Sequence, residues 1–162
     1  MSQSEHVLLA EKLKQRTKLF AIGIIKMYRT LPKTTEAQII SRQLLRSSTS
    51  LAANYRAACR ARSKAEITAK MCIVVEETDE TVFWIELLVE TNIIPLKSIK
   101  GLNAEINELL AIFSTARRTA KGKRQALLVD WFWFFQSDNQ QINKSMALYV
   151  QPPSAHASGC FL

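Results

Sequence analysis

The chain has 162 residues and a net charge of +8, with four glycines, four prolines and three cysteines. That length fits one domain with a single sizeable core and excludes two full domains. Alanine, leucine, isoleucine, glutamate, lysine and arginine dominate and β-branched alternation is absent, so an all-helical protein is expected. The basic balance, with a pI near 9.6, favours solubility and attraction to polyanions without selecting one.

The first helix is expected from about Glu5 to Thr30, with Leu9, Leu13, Phe20, Ile24 and Met27 or Tyr28 recurring at three- and four-residue steps. Leu31-Pro32 stops it, and Gly23 within it marks either a close helix crossing or a tolerated loss of ~1 kcal/mol in helix propensity. Thr34 or Thr35 caps a second helix that is expected to reach about Arg62. On a wheel of about 100° per residue, Ile40, Leu44, Leu51, Tyr55 and Ala58 form its buried stripe. Arg42, Arg46, Arg56 and Arg60 fall on the opposite side as one cationic row.

Ser63-Lys-Ala-Glu66 reads as a capping box, which ends the second helix and starts a third, from about Lys64 to Thr91. Ile67, Met71, Val74, Thr78, Val82, Ile85 and Val89 give the third helix one core-facing side. Ile73, Trp84 and Leu87, with Glu77 and Glu80 beside them, make a second apolar surface that a monomer would leave wet. Self-association through those five residues is therefore expected, the alternative being that another helix or the C-terminal tail covers them. Six bases and no acid occupy Arg42 to Lys64, whereas six acids and no base lie between Lys70 and Lys97. These rows pair across subunits, pair within the hairpin, or remain solvated.

Asn92 and Pro95 mark the next break, and Leu102, Ile106, Leu109, Leu110, Phe113 and Ala116 supply the buried face of a fourth helix. Its last turn and exit carry Arg117, Arg118, Lys121, Lys123 and Arg124, five cations in eight residues. They suit a helix C-terminus or a polyanion-binding tip. The four-helix bundle domain is assigned to residues 1–124, and residues 125–162 to an aromatic-rich and then low-order tail. LLVDWFWFF, from Leu127 to Phe135, is too short to span a bilayer; it folds onto the bundle, sits at an oligomer surface or stays exposed, and docking on the bundle is the favoured expectation.

Catalysis and metal binding need convergent groups. His6 and His156 lie near opposite ends, the cysteines lack metal-ligand spacing, and no phosphate-cradling glycine loop occurs. No enzyme, cofactor or metal is expected. The start of the chain lacks a signal-peptide apolar run, so a cytoplasmic protein with no membrane partner is expected.

RQLLRSSTSLAANYRAACRARSKAE, followed by VVEETDETVFWIELL and NELLAIF, resembles the bacterial four-helix bundle proteins related to those encoded in intervening sequences of 23S ribosomal RNA genes. The resemblance implies an antiparallel up-down-up-down bundle assembling as a homopentamer, in a family of unknown function. Arg46, Ser50, Asn54, Tyr55, Arg56, Arg60, Arg62, Ser63, Glu77, Glu80, Thr81 and Trp84 match the family pattern, whereas Ala57 replaces a frequent glutamate. More distantly, the chain is similar to the accessory protein of diversity-generating retroelements, which implies nucleic acid and a reverse transcriptase as partners. The resulting expectation is a non-enzymatic oligomeric scaffold binding RNA or DNA backbone through Arg42, Arg46, Arg56, Arg60 and the cations from Arg117 to Arg124. The alternative is an assembly module whose arginines pair with the acidic third helix of neighbouring subunits.

Overall fold

The structure, a computed structural model, describes residues 3–120. Four helices fill that span: α1 (Gln3–Thr30), α2 (Thr35–Ala58), α3 (Lys64–Glu90) and α4 (Leu96–Ala120). Connections of four or five residues force antiparallel neighbours. Each helix packs on the next and α1 closes against α4, which makes an up-down-up-down bundle. No helix among the described residues is long and apolar enough to cross a membrane. The expected tail, with Lys121, Lys123 and Arg124, lies outside the described residues.

Local chemistry explains each reversal. Thr34 accepts the Ala37 amide at 3.4 Å and caps α2. Ser63 Oγ accepts the Glu66 amide at 3.1 Å, and Glu66 reaches back to accept the Arg62 amide at 2.9 Å. The reciprocal bond thus falls one residue before the position an ideal capping box uses. At the third turn Asn92 takes a φ of 55°, a left-handed value that asparagine tolerates better than most side chains, and the Ile94 amide bonds to Leu88 O at 3.1 Å.

α2 ends at Ala58, earlier than its apolar periodicity suggests. Arg60 and Ala61 donate to Ala57 O and Ala58 O at 3.0 and 3.2 Å, three-residue bonds that tighten the last turn and lead the chain out toward Ser63. Arg60 and Arg62 consequently stand in the turn, and the cationic row is shorter than expected.

Phe20, Ile24, Leu44, Leu51, Ile85, Leu88, Leu102, Ile106, Leu109 and Phe113 are fully enclosed. Burial of such side chains, at ~1.5–3 kcal/mol each before entropy is subtracted, holds the helices together. Ser47 and Thr81, both buried, face one another with their hydroxyl oxygens 2.9 Å apart, so small polar side chains let α2 and α3 approach closely. Ile67, expected in the core, is exposed instead. It sits only three residues into α3, below the level at which the bundle closes around that face.

Gly23 marks the α1–α4 crossing: a Cβ there would stand 2.7 Å from Leu102 Cδ2, and Leu102 is buried. Gly23→Ala should therefore fail to return the ~1 kcal/mol of helix propensity that alanine offers in an open helix. Gly23→Val should lower stability by ~2 kcal/mol through overpacking. Urea denaturation midpoints measure both, and a raised midpoint for either variant would contradict the close crossing.

Candidate nucleic-acid interface

The outer edge of the α2–α3 pair carries one intrachain polar cluster. The Arg46 guanidinium pairs with Glu80 through Nη2 and stands 3.6 Å from Glu77 Oε1 through Nη1. Its Nε donates to Gln43 at 3.1 Å, and Trp84 Nε1 donates to Glu80 Oε1 at 2.9 Å. Hydrogen bonds from Arg46 and then Trp84 hold the Glu80 carboxyl below its usual range, and Glu80 in turn raises Arg46. Arg46 is thus satisfied by its own subunit. Arg42 remains exposed and donates to Gln38 at 3.2 Å.

This arrangement changes the expected second surface of α3. Trp84 is half-buried and packs against the core, while Ile73 and Leu87 are half-buried beside it. The indole reaches Glu80 because the two are one helical turn apart and Arg46 fixes the carboxylate. The aromatic that α3 does present is Phe83, 48% exposed and edge-on to Trp84 with centroids 4.8 Å apart. Sequence periodicity had not distinguished it from its neighbour.

Cations expected on separate segments meet at one end of the bundle. The last turn of α2 holds Arg56, the following turn holds Arg60 and Arg62, and α3 opens on Lys64, all exposed. α4 runs down to the same end, where Arg117 is half-buried and Arg118, exposed, donates to Thr115 at 3.2 Å. The Tyr55 and Phe113 rings, 4.9 Å apart, tie the α2 and α4 ends together. Burial pushes the Tyr55 phenol and the Cys59 thiol up, and Glu11 and Lys14 of α1 lie within electrostatic reach of Cys59. Few carboxylates offset this charge: Glu66 is engaged in the cap and Glu11 pairs with Lys14. Cations here also complement the negative C-terminal dipoles of α2 and α4.

A third charged group lies between α1 and α4 and was absent from the expected site. Arg16 Nε and Nη2 donate to the two Glu105 oxygens at 2.8 and 3.0 Å, and Nη2 is also 2.8 Å from Glu108 Oε1. The Arg16 side chain is 22% exposed, those of Glu105 and Glu108 only 1% and 7%. Burial opposes the Arg16 cation, yet the bonds and charges of Glu105 and then Glu108 raise its pKa overall. The signal was present in the sequence: Glu105 falls inside the apolar arc of α4, within about 60° of Leu102 and Leu109.

Among the described residues no group of histidine, cysteine and carboxylate side chains could hold a metal ion. The model of the 23S rRNA-intervening sequence protein family matches residues 11–115. A crystal structure of a protein of unknown function, from the S23 ribosomal protein family of Bacteroides thetaiotaomicron, is 30% identical, with a TM-score of 0.62. That similarity covers 67% of this chain and 97% of the other. Comparison with curated proteins gave no match.

Removing Arg16 alone would strand two buried carboxylates. Arg16→Met should cost ~2–3 kcal/mol, below the usual range for a fully buried pair because the guanidinium keeps some solvent. Arg16→Met combined with Glu105→Leu should recover part of that loss. Urea denaturation of the wild type, Arg16→Met, Glu105→Leu and the double variant measures the coupling, and strictly additive losses would contradict it.

Proposed function

This chain belongs to the 23S rRNA-intervening sequence protein family, and we propose that it is a non-enzymatic, self-assembling cytoplasmic scaffold whose cationic end holds the phosphate backbone of RNA or DNA. The observation that carries this reading is the convergence of Arg56, Arg60, Arg62 and Lys64 with Arg117 and Arg118 at one end of the bundle. Guanidinium groups suit phosphate because their planar donors engage two oxygens at once. Tyr55 and Phe113, the aromatic rings at this level among the described residues, are buried. Binding is accordingly phosphate-driven and weakly selective for sequence, since stacking on exposed rings is the usual means of holding unpaired bases.

Self-assembly uses the edge of α3 around Ile73, Trp84 and Leu87, with Glu77 and Glu80 already engaged by Arg46 of the same subunit. The homopentameric ring implied by the resemblance is the form proposed. A second reading, an assembly module without nucleic acid, is favoured by the exposed Glu76, Asp79, Glu86 and Glu90, which suit the free arginines of a neighbouring copy.

Fluorescence polarisation with a labelled single-stranded RNA across ~50–200 mM salt separates the two readings. Replacing Arg56, Arg60, Arg117 and Arg118 by glutamine should weaken binding more than tenfold at the lower salt. The same change should reduce the log–log salt slope by ~3, at ~0.7 per lost phosphate contact. Arg46→Gln should leave the slope unchanged. A wild-type assembly that retains no RNA at low salt would favour the second reading.

A further inference from the structure

The solvent side of α3 carries charge that nothing in the described bundle answers. Glu76, Asp79, Phe83, Glu86 and Glu90 lie within about 80° on the helical wheel and are all exposed. No ion pair among the described residues engages any of these four carboxylates. Phe83 stands seven residues from both Glu76 and Glu90, ~10 Å along the axis in each direction. The strip is anionic with an aromatic centre, on a chain whose net charge is +8.

The complementary chemistry follows α4 directly. Residues 121–135 read KGKRQALLVDWFWFF, with Lys121, Lys123 and Arg124 ahead of an apolar run containing Trp131, Phe132, Trp133, Phe134 and Phe135. α4 packs against α3 and ends where α3 begins. From Ile67 to Phe83 is ~24 Å along α3 at 1.5 Å per residue. Eleven residues from Ala120 to Trp131 can span ~36 Å, so the aromatic run reaches Phe83, and Arg124, four residues and ~13 Å beyond Ala120, comes level with Glu76, ~13 Å beyond Ile67.

We infer that residues 121–135 of the same chain dock on this outer face of α3, the aromatic run over Phe83 and Lys123 and Arg124 toward Glu76 and Asp79. The tether favours this occupant over a second copy, because a short linker holds the segment at an effective concentration in the millimolar range. The docked segment borders on the Ile73, Trp84 and Leu87 edge, since Leu87 stands one turn from Phe83, about 40° away on the wheel, and the Phe83 ring meets that of Trp84. Docking also draws Arg124 away from the cationic end, whose phosphate contacts are assigned to residues up to Arg118. It stands independently of nucleic-acid binding.

The test is photo-cross-linking of the full chain carrying benzoylphenylalanine in place of Phe83. Light and 15N-labelled copies are unfolded together, refolded and irradiated, and the linked peptides are read by mass spectrometry. The expected products join position 83 to residues 121–135 as light–light and heavy–heavy pairs. Glu76→Lys with Asp79→Lys should reduce their yield by about fivefold, as expected for loss and reversal of exposed pairs. Light–heavy pairs would assign the face to a second copy, and absence of any link to residues 121–135 would likewise overturn the inference. As a second readout, Trp84→Phe leaves Trp131 and Trp133 as the indoles. Adding Phe83→Glu should shift their emission to the red, and unchanged emission would count against docking.

Discussion

The reversal at Ser63 is the constraint on which the distribution of charge depends. Once Ser63 and Glu66 cap α3, and Ser47 meets Thr81 across the pair, α2 and α3 can run only antiparallel and in one register. That register brings Arg46 to Glu77 and Glu80, sets Arg60 and Arg62 at the apex and leaves the remaining acids of α3 facing outward. Two further short connections return α4 to the same end with Arg117 and Arg118. A cationic tip and an acidic flank are therefore products of topology as much as of composition.

Stability and specificity come from different sources. The enclosed Phe20, Leu51, Ile106 and Phe113 supply the driving force, as any four-helix bundle requires. Arg46 is half-exposed, so its pairing with Glu80 contributes at most ~1 kcal/mol and chiefly selects an arrangement. The Arg16, Glu105 and Glu108 group is another matter. Its carboxylates are buried, and any packing of α1 on α4 that separates them from the guanidinium leaves uncompensated charge. Together with the tight fit of Gly23 on Leu102, it restricts how those two helices can meet.

Much of the fold was legible because its signals are local. Leu31-Pro32, the Ser63 cap and the Asn92 to Pro95 break sit where the helices stop and start. The apolar stripes of α2 and α4 identified Leu44, Leu51, Tyr55, Leu102, Ile106 and Phe113 as core. What a wheel cannot supply is which neighbour covers a given arc. Trp84 falls with Ile73 and Leu87 on a second apolar arc of the wheel; its own core and Glu80 receive part of it, whereas adjacent Phe83 is left outside. Ile67 has the right phase but lies too near the helix start to be enclosed. Arg60 has the right phase in a helix that has already ended. The Arg16 group stayed hidden because its partners are 89 residues apart in sequence.

Charge segregation makes the sharpest demand on the proposed function, under which RNA touches the tip and avoids the flank. Hydrogen exchange read by mass spectrometry, with and without a short single-stranded RNA, reports on both regions in the same sample. Exchange should slow in the turn spanning residues 59–66 and in the last turns of α4, with residues 76–90 unchanged. Slowing confined to residues 76–90, or none in the presence of bound RNA, would contradict it.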